Sequence, residues 1–446
     1  MNYNRKDTIA ALATTPGISA ISVIRISGNN LKLLLVSITN QKNIKNRYAA
    51  YCTIVDKSEN IIIDQCIVIY FAAPHSYTGE DVIEINCHGG EVVSKKILNM
   101  LYEHGVQPAL AGEFSYRAFL NNKLNLIEAE TISSLINANS NYSHDIIINN
   151  LNDSLKNNIA EINNKIINIL TIIEHELDFS ENEIDYTTNQ SVLTILSEIQ
   201  STVQSYLNNQ KLVQVINKGI NIVIMGIPNA GKSSLFNQIV GYNRTIVSDE
   251  QGTTRDSIEM KLVINQYPIN LIDTAGYFES KDQINIDSIK QTMKYSKTAD
   301  IIIYLDEKDP INACSALNLQ CNKIIFCKSK QDNAVNNLNN DGSINISSKN
   351  NLGIDVLNNT LSTYLSTEYS YDFNKDLMLI SERQVKIFKQ ALELLNEITG
   401  LVENDVGMDI VASHMHELTS LFDECLGKIS NEHVLNSIFS NFCVGK

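Results

Sequence analysis

The segment GIPNAGKS, residues 226–233, constrains the fold of this chain more than any other. It matches GxxxxGK[ST] at every defined position, follows the apolar run NIVIM and precedes the helical run SLFNQIV. In such a turn backbone N–H groups surround phosphate oxygens, and the helix N-terminus adds partial positive charge. The pattern therefore predicts a strand, a phosphate-binding loop (P-loop) and a helix, with Lys232 on the β- and γ-phosphates and Ser233 on Mg²⁺.

Strand and helix patterns alternate around this loop, over residues 219–368. The apolar runs are GINIVIMG, YPINLIDTAG, ADIIIYLD, KIIFC and SINIS. Their order and spacing are typical of a doubly wound, mostly parallel sheet. A P-loop after the first of these runs predicts a Ras-like P-loop domain.

Downstream segments offer metal and phosphate ligands in the order that such a domain requires. Thr253 and Thr254, in GTTRD, have hydroxyl groups where a switch loop would complete the Mg²⁺ shell. Asp273 ends an apolar run and can hold the metal through a water molecule, and the N–H of Gly276 can meet the γ-phosphate. These positions support a nucleoside triphosphate as the ligand.

Two further segments select guanine. In SKQD, residues 329–332, Asp332 can accept hydrogen bonds from N1–H and from the exocyclic amine of guanine, a donor pair that adenine lacks. The segment SSK, residues 347–349, can close over the base, so the chain is predicted to be a GTPase rather than an ATPase. The candidate GTP-binding residues are Asn229, Ala230, Gly231, Lys232, Ser233, Ser234, Ser248, Thr253, Thr254, Asp273, Thr274, Ala275, Gly276, Ser329, Lys330, Asp332, Ser347, Ser348 and Lys349.

The rest of the chain divides by pattern. Residues 1–118 mix strands and turns, with buried-strand patterns at 18–27 and 61–71. Residues 119–212 and 372–446 are helical, and the α/β segment 213–371 interrupts them, which suggests that the two helical parts form one bundle with an inserted domain. One apolar stripe at helical spacing comprises Leu155, Ile159, Ile162, Ile166, Ile169, Ile173 and Leu177.

Composition limits the function classes. The chain has 446 residues, 43% of them hydrophobic, and a net charge of −15, so its overall field does not attract nucleic acid. No apolar run approaches the roughly 20 residues that span a bilayer, and the N-terminus lacks a signal-peptide pattern. The eight cysteines form no CxxC pair. We therefore expect a cytoplasmic protein without membrane contact.

The chain ends in FCVGK, residues 442–446, with Cys443 four positions from the end. A prenylation site fits poorly, because Gly445 is not aliphatic and Lys446 is not a usual final residue. No basic run or second cysteine stands just upstream to supply a second membrane signal. The composition and patterning alone leave the role of this tail open.

Taken together, these segments resemble those of the MnmE (TrmE) family of tRNA modification GTPases. The resemblance rests on DTIAALATTPG, VIRISG, YTGEDVIEINCHGG and GEFSYRAFLNNKLNLIEAE near the N-terminus, on GIPNAGKSS and GTTRD, and on IFSNFCVGK at the C-terminus. It implies a folate-binding, dimerising α+β domain over 1–118, a discontinuous helical bundle and an inserted G domain.

The resemblance also implies an activity and partners. Such proteins work as homodimers with the flavoprotein MnmG and use a tetrahydrofolate derivative as the carbon source. Together they add an aminomethyl-type group to C5 of the wobble uridine of certain tRNAs, and tRNA would be bound mainly through the partner. By motif, Arg25, Glu84, Lys123 and Lys446 would contact folate, and Cys443 would be catalytic.

The family likeness further implies a K⁺ ion, which neutralises developing phosphate charge where other GTPases use an arginine finger. Its ligands would be Asn229, Ser248, Glu250 (through its carbonyl) and Thr253. Mg²⁺ would be held by Ser233 and Thr254.

Two positions depart from the family pattern. Ser329 stands where the guanine-reading motif has Asn, which predicts weaker nucleotide binding. Asn285 stands where a Glu would orient the attacking water, so Asp282 or Asp287 is the candidate there. Two alternatives therefore remain: a regulatory GTPase that binds RNA, as in ribosome assembly, and a folate-binding protein whose GTPase has decayed. The first alternative is opposed because the sequence has no GXXG loop in a KH-like setting. The second is opposed because the GKSS, GTTRD and DTAG segments are intact.

Overall fold

The computed structural model describes residues 6–150, 154–178, 189–243, 258–274, 295–315, 317, 319, 321–334, 338–371, 378–428, 432–440 and 442–445. The chain forms two compact units. The first comprises Met1–Ser133, Lys156–Ile199 and Glu393–Lys446, and the second comprises Ser134–Leu155 and Gln200–Leu392.

The first unit contains a six-stranded sheet in the order β3-β4-β5-β2-β1-β6. All neighbouring strands in it are antiparallel except the β1–β6 pair, which is parallel. The β2–β5 register places Arg25 directly opposite Glu84. The strands are β1 (Ile9–Leu12), β2 (Ile21–Gly28), β3 (Ala50–Asp56), β4 (Ile61–Phe71), β5 (Asp81–His88) and β6 (Gln107–Pro108).

Alternation within the strands creates the core of this sheet. Ile24 and Ile26 of β2 are fully buried on one face, and Arg25 between them points to the other. Helices α1 (Leu31–Ile38) and α2 (Glu91–Glu103) cover the apolar face with Leu35 and Leu101 among their buried residues. The opposite face, which we call the polar face because it carries Arg25 and Glu84, also holds a smaller apolar cluster formed by Ile9, Ala11, Ala109 and Phe114.

The C-terminal part of the chain packs against the N-terminal domain within the same unit. Helix α3 (Glu113–Leu120) and the C-terminal helix α14 (Glu432–Ser440) share an aromatic cluster centred on Phe439, which is fully buried. Its ring centroid lies 5.5 Å from that of Tyr116 and 5.4 Å from that of Phe442. This cluster fixes where the last residues of the chain lie.

Long helices make up most of the remainder. They are α4 (Leu126–Ile136), α5 (Asn141–Asn150), α6 (Ser154–Asp178), α7 (Asn189–Asn208), α8 (Gln210–Lys218), α12 (Glu382–Glu403) and α13 (Met408–Leu426). The stripe predicted on α6 is buried from Leu155 to Ile173, whereas Leu177, in the last turn, is exposed. In the first unit Asn163 of α6 donates to Asp423 of α13 at 2.8 Å, so the two distant helical segments are in contact.

The second unit contains another six-stranded sheet, in the order β12-β11-β10-β7-β9-β8. Every pair in it is parallel except β8–β9, so the sheet is mostly parallel, as the sequence predicts. Its strands are β7 (Ile220–Gly226), β8 (Ile258–Ile264), β9 (Tyr267–Asp273), β10 (Ile301–Asp306), β11 (Lys323–Lys328) and β12 (Ile344–Asn345), and its helices include α9 (Lys232–Tyr242), α10 (Pro310–Ser315) and α11 (Ile354–Glu368).

We expect Phe439→Ala to lower the free energy of unfolding of the first unit by about 3–5 kcal/mol, because it leaves a cavity among the three rings of Tyr116, Phe119 and Phe442. The measurement is guanidinium denaturation followed by circular dichroism. Val444→Ala is the matched control: Val444 is 56% exposed, so its truncation should leave the transition within about 0.5 kcal/mol of wild type. Equal effects of the two substitutions would contradict this account.

Candidate functional sites

The P-loop lies between β7, which ends at Gly226, and α9, which begins at Lys232. Gly226 has φ 149°, and a Cβ atom there would lie 2.1 Å from the carbonyl oxygen of Leu305 in β10. Only glycine fits this approach between neighbouring parallel strands. The first defined residue of the motif is therefore required by packing as well as by phosphate access.

Lys232 is buried, and its Nζ donates to the carbonyl oxygens of Gly226 (3.2 Å) and Ile227 (2.9 Å). Burial lowers the pKa of Lys232, and the nearby carboxylate of Asp273 opposes that shift. An ammonium group held in this way at the loop can exchange carbonyl acceptors for phosphate oxygens. The loop, the buried cation and the start of α9 together fit a polyphosphate.

The Mg²⁺ candidates that are described lie next to this loop. Asp273, the last residue of β9, is fully buried and pairs in register with Ile224 of β7. Thr274 Oγ1 donates to the carbonyl of Ile224 at 2.9 Å and ties the end of β9 to the strand that carries the P-loop. Ser233 is exposed in the first turn of α9. A hydroxyl and a carboxylate near the bound phosphates suit Mg²⁺, a hard cation that prefers oxygen ligands.

The residues predicted to read guanine form a second cluster, after β11 and β12. Ser347 Oγ donates to Asp332 Oδ1 at 2.5 Å, and Asn350 Nδ2 donates to the carbonyl of Asp332 at 3.0 Å. Lys330, with φ 57°, forms an ion pair with Glu307. The two segments predicted to contact guanine are therefore joined by direct hydrogen bonds.

Ser329 differs from its neighbours in this cluster. It is 4% exposed, and its Oγ has no hydrogen-bond partner among the residues that the structure describes. A buried hydroxyl without a partner costs free energy, roughly 1–3 kcal/mol for a group of this kind. This cost is consistent with a hydroxyl that finds its acceptor only when the nucleotide is present.

The P-loop and guanine clusters meet through α9. Gln238 Nε2, two turns into that helix, donates to the carbonyl of Ser348 at 2.8 Å and to Asn351 Oδ1 at 2.7 Å. Parallel pairing of β7 with β9 and β10, and of β10 with β11, brings the carboxyl ends of these strands to one edge. The predicted phosphate and base residues therefore share one face of the second unit.

A different site lies on the polar face of the first unit. Arg25 Nε and Nη2 donate to Glu84 Oε1 at 3.1 and 2.9 Å, and Arg25 Nη1 donates to the carbonyl oxygen of Gly445 at 3.2 Å. The guanidinium also lies over the Tyr77 ring, 5.3 Å from its centroid. Two predicted folate residues and the C-terminal segment therefore meet at one point.

The tail is held by its backbone. The N–H of Gly112 donates to the carbonyl of Cys443 at 3.4 Å, and Val444 forms an antiparallel bridge with Ala111. Gly445 has φ 96°, and a Cβ atom there would lie 2.6 Å from the carbonyl oxygen of Leu12. The Cys443 side chain remains exposed, two residues before Gly445, whose carbonyl oxygen accepts from Arg25.

The structure does not bring the remaining predicted site residues that it describes, such as Lys123 and Asn229, into contact with the guanine cluster or the Arg25–Glu84 pair. Lys123 is exposed, and within the described residues no hydrogen bond or ion pair links it to Arg25 or Glu84. Asn229 is exposed in the P-loop with φ 60°. The predicted residues that lie outside the described part are Ser248, Glu250, Thr253, Thr254, Ala275, Gly276, Asp282, Asp287 and Lys446.

Sequence reasoning missed a buried charge network near the folate candidates. Arg117 is 2% exposed and donates to Glu80 Oε2 at 3.0 Å and to Glu113 Oε1 at 2.8 Å. Ser27 Oγ, on β2, donates to the same Glu80 oxygen at 2.7 Å. The available signal was the i,i+4 pair Glu113–Arg117 within GEFSYRAF, which reads equally well as an ordinary surface pair.

A mostly parallel sheet, a P-loop at the end of its first strand and a joined guanine cluster define a P-loop GTPase. Two family models match the chain beyond that domain. One, described as GTP-binding protein TrmE N-terminus, matches residues 8–123, and the other, described as MnmE helical domain, matches residues 126–443. The chain belongs to the MnmE family of tRNA modification GTPases.

Full-length relatives support this assignment. The chain is 32% identical over 449 residues to the tRNA modification GTPase MnmE of Sulfurimonas denitrificans, covering 99% of this chain and 100% of the relative. It is 35% identical over 451 residues to that of Mycoplasmoides gallisepticum, covering 99% and 98%. A solved structure, the G domain of the T. maritima FeoB iron transporter, is 24% identical and covers 34% of this chain and 99% of its own, with a TM-score of 0.26. Across the described residues, the helices are all too short or too polar to cross a bilayer.

We expect Ser329→Asn to tighten GDP binding, because the amide side chain reaches further than the Ser329 hydroxyl and can donate a closer hydrogen bond to the nucleotide. Asp332→Asn should remove the preference for GDP over ADP, since one acceptor becomes a donor and buried groups are left unpaired, at roughly 1–3 kcal/mol each. Calorimetry with GDP and ADP on both variants measures this. Unchanged GDP affinity in both would refute the assignment of this cluster to the base.

Proposed function

We propose that this protein is a K⁺-dependent GTPase that modifies tRNA together with a flavoprotein partner, MnmG. The product is an aminomethyl-type (carboxymethylaminomethyl) group at C5 of the wobble uridine, position 34, of certain tRNAs. The protein acts in the cytoplasm as a homodimer, with its G domain, residues 213–371, inserted between helical segments 119–212 and 372–446. The observation that carries the proposal is the contact of the C-terminal segment with the Arg25–Glu84 pair, beside an exposed cysteine.

The GTPase part of the proposal uses residues that already lie together. Lys232 binds the β- and γ-phosphates, and Ser233 with Asp273 places Mg²⁺, which neutralises charge on the phosphate oxygens when bound. Asn229 is the K⁺ candidate within the described residues, and its exposed side chain in the P-loop leaves it accessible to an ion near the phosphates. The use of K⁺ is supported by the family likeness and by this position.

The folate part depends on the chemistry of the Arg25–Glu84 pair. Both side chains are about one-fifth exposed, so they face a ligand from a half-buried setting in which charge interactions are strengthened. Arg25 takes one carboxylate oxygen of Glu84, Oε1, and leaves Oε2 to accept from N–H groups of a heterocycle. A tetrahydrofolate derivative would supply the one-carbon unit here, next to the Cys443 thiol.

Potassium should stimulate GTP hydrolysis. The measurement is GTP turnover in KCl against NaCl at equal ionic strength, and equal rates would contradict the proposed ion. Asn229→Ala should lose the difference between the salts and still bind nucleotide, because Lys232 and the loop amides remain. Loss of nucleotide binding in that variant would give Asn229 a structural role instead.

Cys443→Ser tests the tail as part of the modification chemistry. Serine removes the thiol with little change in volume, and the GTP site lies in the other compact unit. We therefore expect K⁺-stimulated GTPase activity and dimerisation to persist, and modified wobble uridine to fall to background, since the thiolate would act as nucleophile or proton carrier. Wild-type levels of modified nucleoside in this variant would make Cys443 structural.

A further inference from the structure

The charge of the N-terminal segment is opposite to that of the whole chain. Residues 8–55 contain five basic residues and no Asp or Glu, in a protein with 50 acidic residues and a net charge of −15. Arg25 is used by the site described above. The other four are Lys32, Lys42, Lys45 and Arg47, and together with Tyr48 we call them the basic face.

The backbone of this segment is fixed by the edge of the sheet. The connection between α1 and β3 is bound to β4 by the N–H of Arg47, which donates to the carbonyl of Tyr70 at 2.7 Å. Asn46 Oδ1 accepts from the N–H of Ala72 at 2.9 Å. Lys32 Nζ, on α1, lies 5.7 Å from the centroid of the Tyr70 ring. Tyr70 therefore contacts both Lys32, through its ring, and Arg47, through its carbonyl oxygen.

Arg47 has an unfavourable backbone conformation for its side chain. Its φ is 56°, in the left-handed region that non-glycine residues seldom adopt, and its Nη2 donates to the carbonyl of His75 at 2.8 Å. Such a conformation persists only where surrounding contacts fix it. The backbone of the basic face is therefore fixed at Arg47 by these contacts.

The charges of the basic face are accessible and locally unbalanced. Lys42, Lys45, Arg47 and Tyr48 are all exposed, and no carboxylate of the described residues forms an ion pair with either lysine. Asp81, the acid beside Tyr70, already accepts from the N–H groups of Leu31 (3.2 Å) and Ala73 (3.0 Å).

We propose that the basic face binds the phosphate backbone of tRNA. The inference rests on the proposed function, in which tRNA must approach a chain whose overall charge repels it. Lysine and arginine supply phosphate contacts, and the exposed Tyr48 ring can stack on an unpaired base. This face adds a contact of the protein's own to those proposed for its partner, and it lies in the first unit, which also holds the Arg25–Glu84 pair.

The test removes charge without disturbing Arg47. Lys42→Gln/Lys45→Gln is compared with Lys386→Gln/Lys389→Gln, which removes the same charge from two exposed lysines of α12 that each have a glutamate four residues away, Glu382 or Glu393. Binding of unmodified tRNA transcript is measured by fluorescence anisotropy across a salt series, together with GTP turnover. We expect about tenfold weaker binding at low salt and a salt slope lower by about 1 to 2 for the first pair only, with GTP turnover unchanged.

Each outcome of the binding experiment either supports or overturns the proposal that the basic face binds tRNA. Wild-type tRNA affinity in the Lys42/Lys45 variant, equal losses in both variants, or no binding of tRNA by wild type at low salt would overturn the proposal. A Lys42/Lys45 variant that binds tRNA normally but no longer dimerises or binds the flavoprotein would make the face a protein interface, and would also overturn it. Because GTP turnover and K⁺ stimulation are measured on the same samples, failure of this inference is distinguishable from failure of the proposed GTPase.

Discussion

The contact between Arg25 and the carbonyl of Gly445 joins positions that are 420 residues apart in sequence. The same guanidinium holds Glu84 across the β2–β5 pair and lies over Tyr77. Phe439 and Phe442 pack in the aromatic cluster with Tyr116 and so fix the position of the C-terminal tail, residues 442–445. If this anchoring were lost, Cys443 would be an exposed cysteine on a free end, and the proposed modification site would have no thiol beside it.

The second site depends on a different constraint, the close approach of parallel strands at the P-loop. Gly226 allows β7 to approach Leu305, and the buried Lys232 then points its ammonium group back at the loop carbonyls. Each compact unit therefore holds one of the two proposed sites: a loop with a buried ammonium group in one, and a guanidinium, a carboxylate and a thiol in the other. In this second site the buried hydroxyl of Ser329 has no hydrogen-bond partner among the described residues.

Local patterns predicted the strands, the P-loop and the helix that surround the second site. A strand, a glycine-rich turn and a helix are short-range features, and the runs ending at Asp273 and before Ser329 form parallel strands with their carboxyl ends at one edge. The strand at 61–71 and the stripe on α6 were likewise readable, because side-chain periodicity reports burial directly. Leu177, in the last turn of that helix, is the member of the stripe that is exposed.

The first site was not readable from pattern alone. Arg25 and Glu84 look like ordinary surface charges, and only the family resemblance singled them out, because pairing between strands 59 residues apart and with a tail 420 residues away leaves no periodic signal. The network of Arg117 with Glu80 and Glu113 was missed because its link to Glu80 spans 37 residues and its i,i+4 pair with Glu113 is also typical of a surface helix. The basic face was visible as composition, but the left-handed backbone of Arg47 that fixes it was not.

The central claim is that one chain combines a GTPase with the modification of wobble uridine. The most direct test is mass-spectrometric nucleoside analysis of tRNA from cells with the gene, without it, and with it restored. The account predicts that the C5-modified nucleoside disappears from position 34 in the deletion and returns on restoration. An unchanged nucleoside profile in the deletion strain would contradict the account.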